Sequence, residues 1–473
     1  MESNIFTIIM VLFFSLGSLQ AQSAKKNRTY NMIRYQDDFA FLSQDSLKED
    51  IFDPIKYISI ASQHQSYLSI GGELRHQYQY YQNPEWNGSV DNNGHFMQRY
   101  MLHADFHLGK HFRLFAQMNS GLSNGRTPGP RAIIDENKLE ANQFFLEFKS
   151  SSSSVLKSPQ KLNFGIRLGR MEEKFGTARL VATREGQNVR RSFDGIQMFL
   201  GKGKWKIDAF ALKEIISLPG AFDDVRDEDE WFIGAVAQRK GNNGFVVEPY
   251  ILMNRDRSAL VFSDSSRQYR VSPGVRLFQK NKSKLSWNVE VTGQWGKFGD
   301  ENVYAWLLAA DLKYRFGKSP SRPSAGLSFS YATGDTDTKP GGVGTFESFF
   351  PKALFGQAIV LNPSNVIQLH GEFSFHLEKE TKLTFSHDQL FRSSSSDVFY
   401  DPCANPIVPV SSDIVLSKVS HIGHQTKVEL KRQFGPHYFI VLEYAIFPPG
   451  RFLREMERTE TLHYASAKSI FRF

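Results

Sequence analysis

The sequence predicts an all-β fold: a transmembrane, antiparallel, up-and-down β-barrel of about 18 strands, with long extracellular loops and short periplasmic turns. Three observations predict this fold class. Apolar and polar residues alternate along many short segments, the connections between these segments alternate in length, and the last segment keeps the alternation as far as Phe473. A soluble β-sandwich also shows alternation, so the connections and the last segment decide between the two.

The start of the chain predicts export from the cytoplasm. Residues 5–16, IFTIIMVLFFSL, form an apolar run that is too short to cross a bilayer comfortably, and small and polar residues follow it. We therefore expect a signal peptide at residues 1–22, an N-terminal periplasmic extension at residues 23–66 and an outer-membrane barrel at residues 67–473. The sequence leaves open whether the extension also plugs the barrel.

The first predicted strand shows the pattern that recurs along the chain. Residues 68–80, LSIGGELRHQYQY, place Leu68, Ile70 and Tyr78 on one face and Glu73 and Arg75 on the other. The connections alternate between tight turns such as GKH, GKG, EKE and GP and long loops at residues 119–141, 333–365 and 392–421. Tight turns at one end, long loops at the other and an even strand number are typical of an outer-membrane barrel.

The last segment favours closure of the barrel. Residues 463–473, HYASAKSIFRF, direct alternate side chains outward and finish on Phe473. This segment resembles the terminal strand of bacterial outer-membrane barrels, and the resemblance implies that Phe473 is read by the barrel insertion machinery. Pairing of the first strand with the last would satisfy the backbone in lipid and leave no free edge.

The composition offers no sign of catalytic chemistry. The chain has 57 basic and 49 acidic residues, a net charge of +8, and its single cysteine, Cys403, permits no intramolecular disulfide. No arrangement of Ser, His and Asp typical of a hydrolase stands out. We expect no enzymatic activity, no catalytic residue, no cofactor, no metal and no nucleic-acid partner.

The polar faces of the strands predict a wet, net-positive lumen. By alternation, the inward positions near the extracellular mouth include Arg75, Arg99, Arg167, Arg191 and Arg270. An alternative holds for each of these arginines, namely that it pairs with a carboxylate of the wall and only stabilises the barrel. The wall carboxylates available for such pairs are Glu73, Asp105, Glu147 and Glu290.

One stretch gathers an unusual amount of fixed positive charge. Residues 169–194, GRMEEKFGTARLVATREGQNVRRSFD, contain Arg170, Arg179, Arg184, Arg190 and Arg191, and guanidinium groups suit carboxylates and phosphates. The stretch joins the predicted fifth and sixth strands at the long-loop end. Because it has few apolar residues for an outward cap, we expect it to fold into the mouth, with Arg179 and Arg184 beside Arg191 and with Asp194 orienting the guanidinium groups. The alternative is a loop that hangs in solution.

The same stretch carries a family resemblance. It resembles the signature region of the alginate export porins, with Gly169 and Arg170 at a strand end, Phe175 and Gly176 in the loop, and NVRRSFDG at residues 188–195. Met171 departs from the family, which usually has Gln at that position. The resemblance implies a barrel of similar strand number whose arginine-lined lumen attracts an anionic uronic-acid polymer.

Three functional hypotheses follow. The first is a porin that conducts anionic, alginate-like saccharides through an arginine-lined pore. The second is a general anion porin, and the third is a plugged barrel whose loops, such as residues 392–421, bind an external partner. The expected partners are outer-membrane lipid, the anionic saccharide, the insertion machinery and periplasmic export or uptake proteins.

Overall fold

A computed structural model describes residues 28, 30–60, 66–152, 162–261, 264–279, 284–317, 321–336, 342–352, 356–358, 361–400 and 417–473. The predicted signal peptide at residues 1–22 and Cys403 lie outside the described residues, as does the first part of the predicted extension.

The segments with alternating side chains form a closed barrel of 18 antiparallel strands, as predicted. The strands are β1 Tyr67–Gln82, β2 Asn93–Leu108, β3 Phe112–Asn124, β4 Asn137–Ser152, β5 Leu162–Met171, β6 Phe193–Lys202, β7 Trp205–Ile216, β8 Trp231–Lys240, β9 Phe245–Val261, β10 Asp264–Gln279, β11 Leu285–Phe298, β12 Glu301–Arg315, β13 Ser324–Ala332, β14 Val366–Glu378, β15 Thr381–Arg392, β16 His421–Phe434, β17 Tyr438–Phe447 and β18 Leu462–Arg472. Two further strands of two residues, Ile58–Ser59 and Val225–Arg226, pair with β1 and β7.

The barrel is closed by its first and last strands. β1 pairs with β2 along one edge and with β18 along the other, from Glu73 opposite Arg472 to Gln82 opposite His463. Every barrel strand therefore has two neighbours, which satisfies the backbone without an exposed edge.

The two faces of each strand differ in chemistry. On β1, Leu74 and Tyr78 are 40% and 43% exposed, whereas Glu73, Arg75 and Gln77 are at most 2% exposed. The apolar residues face outward, where lipid surrounds an outer-membrane barrel, and the buried polar residues face the lumen. Their burial shows that the lumen is occupied by other parts of the chain at this level.

Helices are few and short in the part of the chain that the structure describes. There the α-helices are α1 Asp53–Lys56 and α2 Arg451–Glu455, and single 3-10 turns occur at Arg34–Gln36, Ala40–Ser43, Asp45–Leu47, Pro84–Trp86 and Asn242–Gly244. Among the described residues, no helix combines the length and the apolar character that crossing a membrane requires.

The N-terminal segment, residues 30–60, lies at the end of the barrel where the tight turns are, and part of it enters the lumen. Lys56 donates to the backbone oxygen of Ile70 at 2.7 Å, and Arg34 donates to those of Gly72 and Phe473 at 2.8 and 3.0 Å. Further inside, the Tyr35 ring packs at right angles to Phe145. The predicted extension therefore contains residues that line the interior of the barrel.

Candidate functional site

The loop between β5 and β6 crosses the lumen, and we name residues 172–192 the constriction loop. Arg75 of β1 donates to the backbone oxygens of Glu185 and Gln187 at 2.8 and 2.5 Å. On a distant part of the wall, Arg179 of the loop donates to Asp311 of β12 at 2.8 Å. Contacts to β1 and β12 from one loop require it to span the interior.

A second inward segment, residues 342–352, supports the constriction loop; we name it the supporting segment. Ala182 donates to the backbone oxygen of Phe350 at 2.8 Å, and Phe350 donates to that of Leu180 at 2.9 Å. Leu180 and Phe350 are 4% and 3% exposed and belong to an apolar cluster that continues into Phe193 and Phe232 of the wall. Apolar burial thus holds a highly charged loop in place.

Carboxylates pair with Arg190, near the end of the constriction loop, and with Arg99 of β2. Arg190 contacts Glu172 and Glu185, each at 2.6 Å, and its side chain is fully buried. Glu185 in turn lies 3.0 Å from Arg99, which also contacts Glu73 of the wall at 2.5 Å. The result is a continuous ion-pair network from the loop to β1 and β2.

The other arginines of the loop are paired with the wall as well. Arg184 and Arg191 both contact Glu214 of β7, at 2.9 and 2.6 Å. Arg179 instead contacts Asp311, so it is tied to a different strand and shares no carboxylate with Arg191. The expected grouping of Arg184 with Arg191 is therefore present, and Arg179 lies elsewhere.

Arg170 and Asp194 form a pair of their own at the strand ends. Arg170 contacts Asp194 at 2.9 Å and Glu140 at 3.3 Å. The two residues are register partners of β5 and β6, and their neighbours Met171 and Phe193 belong to the inner apolar cluster. By alternation, Arg170 and Asp194 project from the opposite face, and the structure places Asp194 against Arg170 and not against the loop arginines.

The remaining predicted arginines of the wall also have partners. Arg167 contacts Glu147 at 2.6 Å and Gln197 at 2.7 Å. Arg270 contacts Glu347 of the supporting segment at 3.0 Å and donates to the backbone oxygen of Thr345 at 2.8 Å. These contacts correspond to the alternative in which wall arginines act as structural ties.

Two acidic residues at the start of the constriction loop have altered titration. Burial raises the pKa of Glu172 to about 7, although Arg190 opposes the rise. Burial likewise raises the pKa of Glu173 to about 7, against the opposing effect of Arg167. Both groups therefore change charge near neutral pH.

The N-terminal segment touches the constriction loop from the side of the tight turns. The Tyr35 hydroxyl donates to the backbone oxygen of Glu172 at 3.0 Å, and Arg113 donates to the backbone oxygen of Tyr35 at 2.7 Å. The Arg167 guanidinium lies 4.1 Å from the centre of the Tyr35 ring. The loop is thus held between the N-terminal segment and the supporting segment.

Comparison with known proteins agrees with this architecture. A family model described as Alginate export matches residues 66–468. The chain belongs to the alginate export family. OpdO of Pseudomonas aeruginosa aligns with a TM-score of 0.56 at 12% identity, over 88% of this chain and 98% of that one. OccAB1 of Acinetobacter baumannii aligns with a TM-score of 0.56 at 10% identity, over 89% of this chain and 98% of that one.

OccK5 (OpdH) of Pseudomonas aeruginosa gives a TM-score of 0.55 at 9% identity, over 86% of this chain and 98% of that one. At these identities the likeness shows the barrel fold alone. A comparison with curated proteins finds no match. Family membership and the closed barrel identify the chain as an outer-membrane porin, located in the bacterial outer membrane.

This member of the alginate export family has a cavity of about 670 Å³ above the constriction loop, on the side of the long loops. We name it the vestibule. Its lining includes three acidic residues, Glu85, Asp91 and Glu185, and six basic residues, Arg126, Arg131, Lys174, Arg184, Arg191 and Lys352. The vestibule therefore has an excess of positive charge at the entrance to the constriction.

No pattern in the sequence marks Lys174 and Lys352, although both line the vestibule. Both are exposed, and neither forms an ion pair with any residue that the structure describes. The carboxylates that neutralise the arginines, Glu172, Glu185 and Glu214, were not predicted either. The interleaving of Glu172 and Glu185 with arginines in residues 169–194 was a visible sign of internal pairing.

Proposed function

We propose that this porin conducts anionic saccharides, of the uronic-acid type, through a passage that begins at the vestibule. Lysines rather than arginines supply the mobile positive charge. The arginines of the constriction loop and wall build a rigid frame, because their guanidinium groups are held by carboxylates and backbone oxygens.

The observation that carries the proposal is the state of Lys174 and Lys352. Both ammonium groups lie at the vestibule, are exposed and have no carboxylate partner among the described residues. A free ammonium on a flexible stem attracts a carboxylate without holding it in one geometry. Conduction needs several weak sites of this kind, since a tight site would retain the saccharide.

The shape of the vestibule supports the same function. Its lining combines the basic residues with the edges of the Tyr81 and Trp86 rings, which are otherwise buried in an apolar cluster. A sugar ring has an apolar face as well as polar edges, and aromatic side chains offer a matching surface. Low-dielectric walls around a positive patch also raise the local concentration of anions.

A plugged barrel with a binding role is the second candidate. It is favoured by the N-terminal segment, because Tyr35 of this segment fills part of the lumen. The ring centres of Tyr35 and Phe145 are 5.3 Å apart, and both side chains are buried. In that case the vestibule would bind saccharides without passing them.

The test is single-channel recording in planar bilayers with the double variant Lys174→Gln/Lys352→Gln. We expect wild-type porin to carry an anion-selective current that an oligouronate blocks from the extracellular side. The double variant should lose most of the block while keeping its conductance within about twofold, because the two side chains bind cargo but do not build the wall.

The matched control is Lys110→Gln/Lys379→Gln, which removes the same charge from exposed residues of two tight turns. This control should retain the block. Equal effects on chloride and oligouronate would indicate a general anion porin. Absence of current in the wild type would favour the plugged barrel.

A further inference from the structure

A loop at the extracellular rim is held against the start of β4, away from the vestibule. The loop comprises residues 217–230, between β7 and β8. Lys138 donates to the backbone oxygen of Gly220, and Phe222 donates to that of Leu139, each at 2.9 Å. These two bonds bring the acidic residues of the loop beside those of β4.

Three carboxylates meet at this junction. One carboxylate oxygen from each of Glu140, Asp223 and Asp224 lies within 4.8 Å of the other two. Among the described residues, a single ion pair neutralises the cluster, namely that between Glu140 and Arg170 at 3.3 Å. Arg170 also pairs with Asp194, which lies outside the cluster. The junction therefore has excess negative charge at short range, which is unfavourable without a cation.

A buried amide provides an independent indication of a ligand. Asn137 is 1% exposed and its side-chain nitrogen lies 2.8 Å from Asp224, yet its side-chain oxygen is buried without a hydrogen-bond partner. The oxygen and nitrogen of an amide are interchanged by a half-turn of the group, which would present the oxygen to the cluster. An oxygen of Asp223 is buried and unpartnered as well. Native proteins rarely leave such atoms without a partner.

We propose that Glu140, Asp223, Asp224 and Asn137 form a calcium site. All four offer oxygen, the ligand that hard cations prefer, and none offers the sulfur or imidazole nitrogen that zinc favours. Calcium accepts six to eight oxygens in flexible geometry, so water completes its shell at the partly exposed carboxylates. Magnesium demands a near-ideal octahedron and usually keeps several waters, so four protein oxygens from two separate segments suit it less well than calcium.

Calcium at this position connects the rim loop to the barrel wall. The ion would replace repulsion between carboxylates by shared coordination and would hold residues 217–224 against β4. Because Glu140 also contacts Arg170, the site lies next to the strand ends from which the constriction loop departs.

The test is calorimetric titration with CaCl₂ of the whole barrel, refolded in detergent without lipopolysaccharide and treated with a chelator. We expect one site per chain in the wild type and loss of that site in Asp223→Asn/Asp224→Asn. The matched control is Asp227→Asn/Asp229→Asn, which removes two charges from the same loop outside the cluster. It should bind calcium as the wild type does, and heat-modifiable migration verifies that each variant is folded.

Trypsin cleavage after Arg226, an exposed residue of the loop, gives a second measurement. Calcium should slow this cleavage in the wild type and in the control but not in Asp223→Asn/Asp224→Asn. No calcium binding by the wild type would overturn the proposal. So would equal binding by both double variants, or equal loss in both, since these results would mean that the cluster is not the ligand set.

Discussion

Individual carboxylates control the charge of the lumen. Glu214 neutralises two arginines, and Glu185 contacts both Arg99 and Arg190. The pairs are largely buried, so breaking one leaves an uncompensated charge and costs about 3–5 kcal/mol when a partner is removed outright. Substitution of a carboxylate by its amide is milder, because the amide oxygen still accepts a hydrogen bond.

Glu214→Gln should increase anion selectivity. The change removes the negative charge shared by Arg184 and Arg191, both of which line the vestibule. Reversal potentials in a KCl gradient should shift toward the equilibrium potential of chloride. The shift should shrink at 1 M salt, because the Debye screening length is then only about 3 Å. Glu228→Gln, an exposed carboxylate of the rim, is the control and should leave the potential unchanged. An unchanged potential in Glu214→Gln would contradict the assignment.

Anion selectivity should also rise on acidification from pH 8 to pH 6. Glu172 and Glu173 have pKa values raised to about 7 from an ordinary value of 4.5, mainly by burial. They are protonated in the docked loop at pH values where an unfolded loop would have lost the protons. The protons therefore stabilise the docked loop, fully below about pH 4.5 and no longer once the pH has risen through 7. Because a protonated carboxyl carries no negative charge, the lumen is also more positive at the lower pH.

The check is a series of reversal potentials between pH 5.5 and 8.5. Glu172→Gln/Glu173→Gln should flatten the profile and show, at pH 8, the selectivity of the wild type at pH 6. A profile of the same slope in this variant and in the wild type would assign the pH dependence to other groups.

At the scale of elements, the constriction loop crosses the lumen and should restrict the passage. It is bonded to β1, β2, β7 and β12 and to the supporting segment. Replacing residues 176–188 by two glycines should raise single-channel conductance and weaken the block by an oligouronate. The block by a neutral oligosaccharide of equal length should weaken less. Equal loss of block for both sugars would indicate a steric gate without charge recognition.

The N-terminal segment should restrict the passage from the opposite side. Tyr35 is buried against Phe115 and Phe145, and loss of such an aromatic side chain costs about 3–5 kcal/mol, which a short segment cannot replace. Tyr35→Ala should therefore undock the segment and raise conductance or its fluctuations. Phe41→Ala, a residue of the same segment that lies in a separate apolar cluster, is the control. Identical traces for Tyr35→Ala and the wild type would exclude a restricting role.

At the scale of the whole molecule, closure of the barrel makes the fold resistant to unfolding in detergent. Each strand is bonded on both sides, so no strand can leave without breaking two ladders. The mature chain should migrate faster on a gel before boiling than after it. Migration at one position under both conditions would indicate that the barrel is not closed in detergent.

The strand order and the lumenal faces followed from the sequence, because a period of two and alternating turn lengths are local properties of the chain. On β1, for instance, the positions of Leu74 and Glu73 alone indicate which side faces lipid. Strand ends do not follow as closely from the sequence: β9 ends at Val261 and β10 begins at Asp264, although residues 254–267 show no continuous alternation.

The sequence by itself determined the barrel, its even strand number and the presence of an arginine-rich loop. Only the tertiary structure decided which charges are free, because ion pairs such as Arg179 with Asp311 join residues far apart in the chain. Alternation indicates the face on which a charge lies but not the carboxylate that reaches it from another strand. For that reason the arginines proved to be engaged, while Lys174 and Lys352, which no pattern marks, remain exposed in the vestibule.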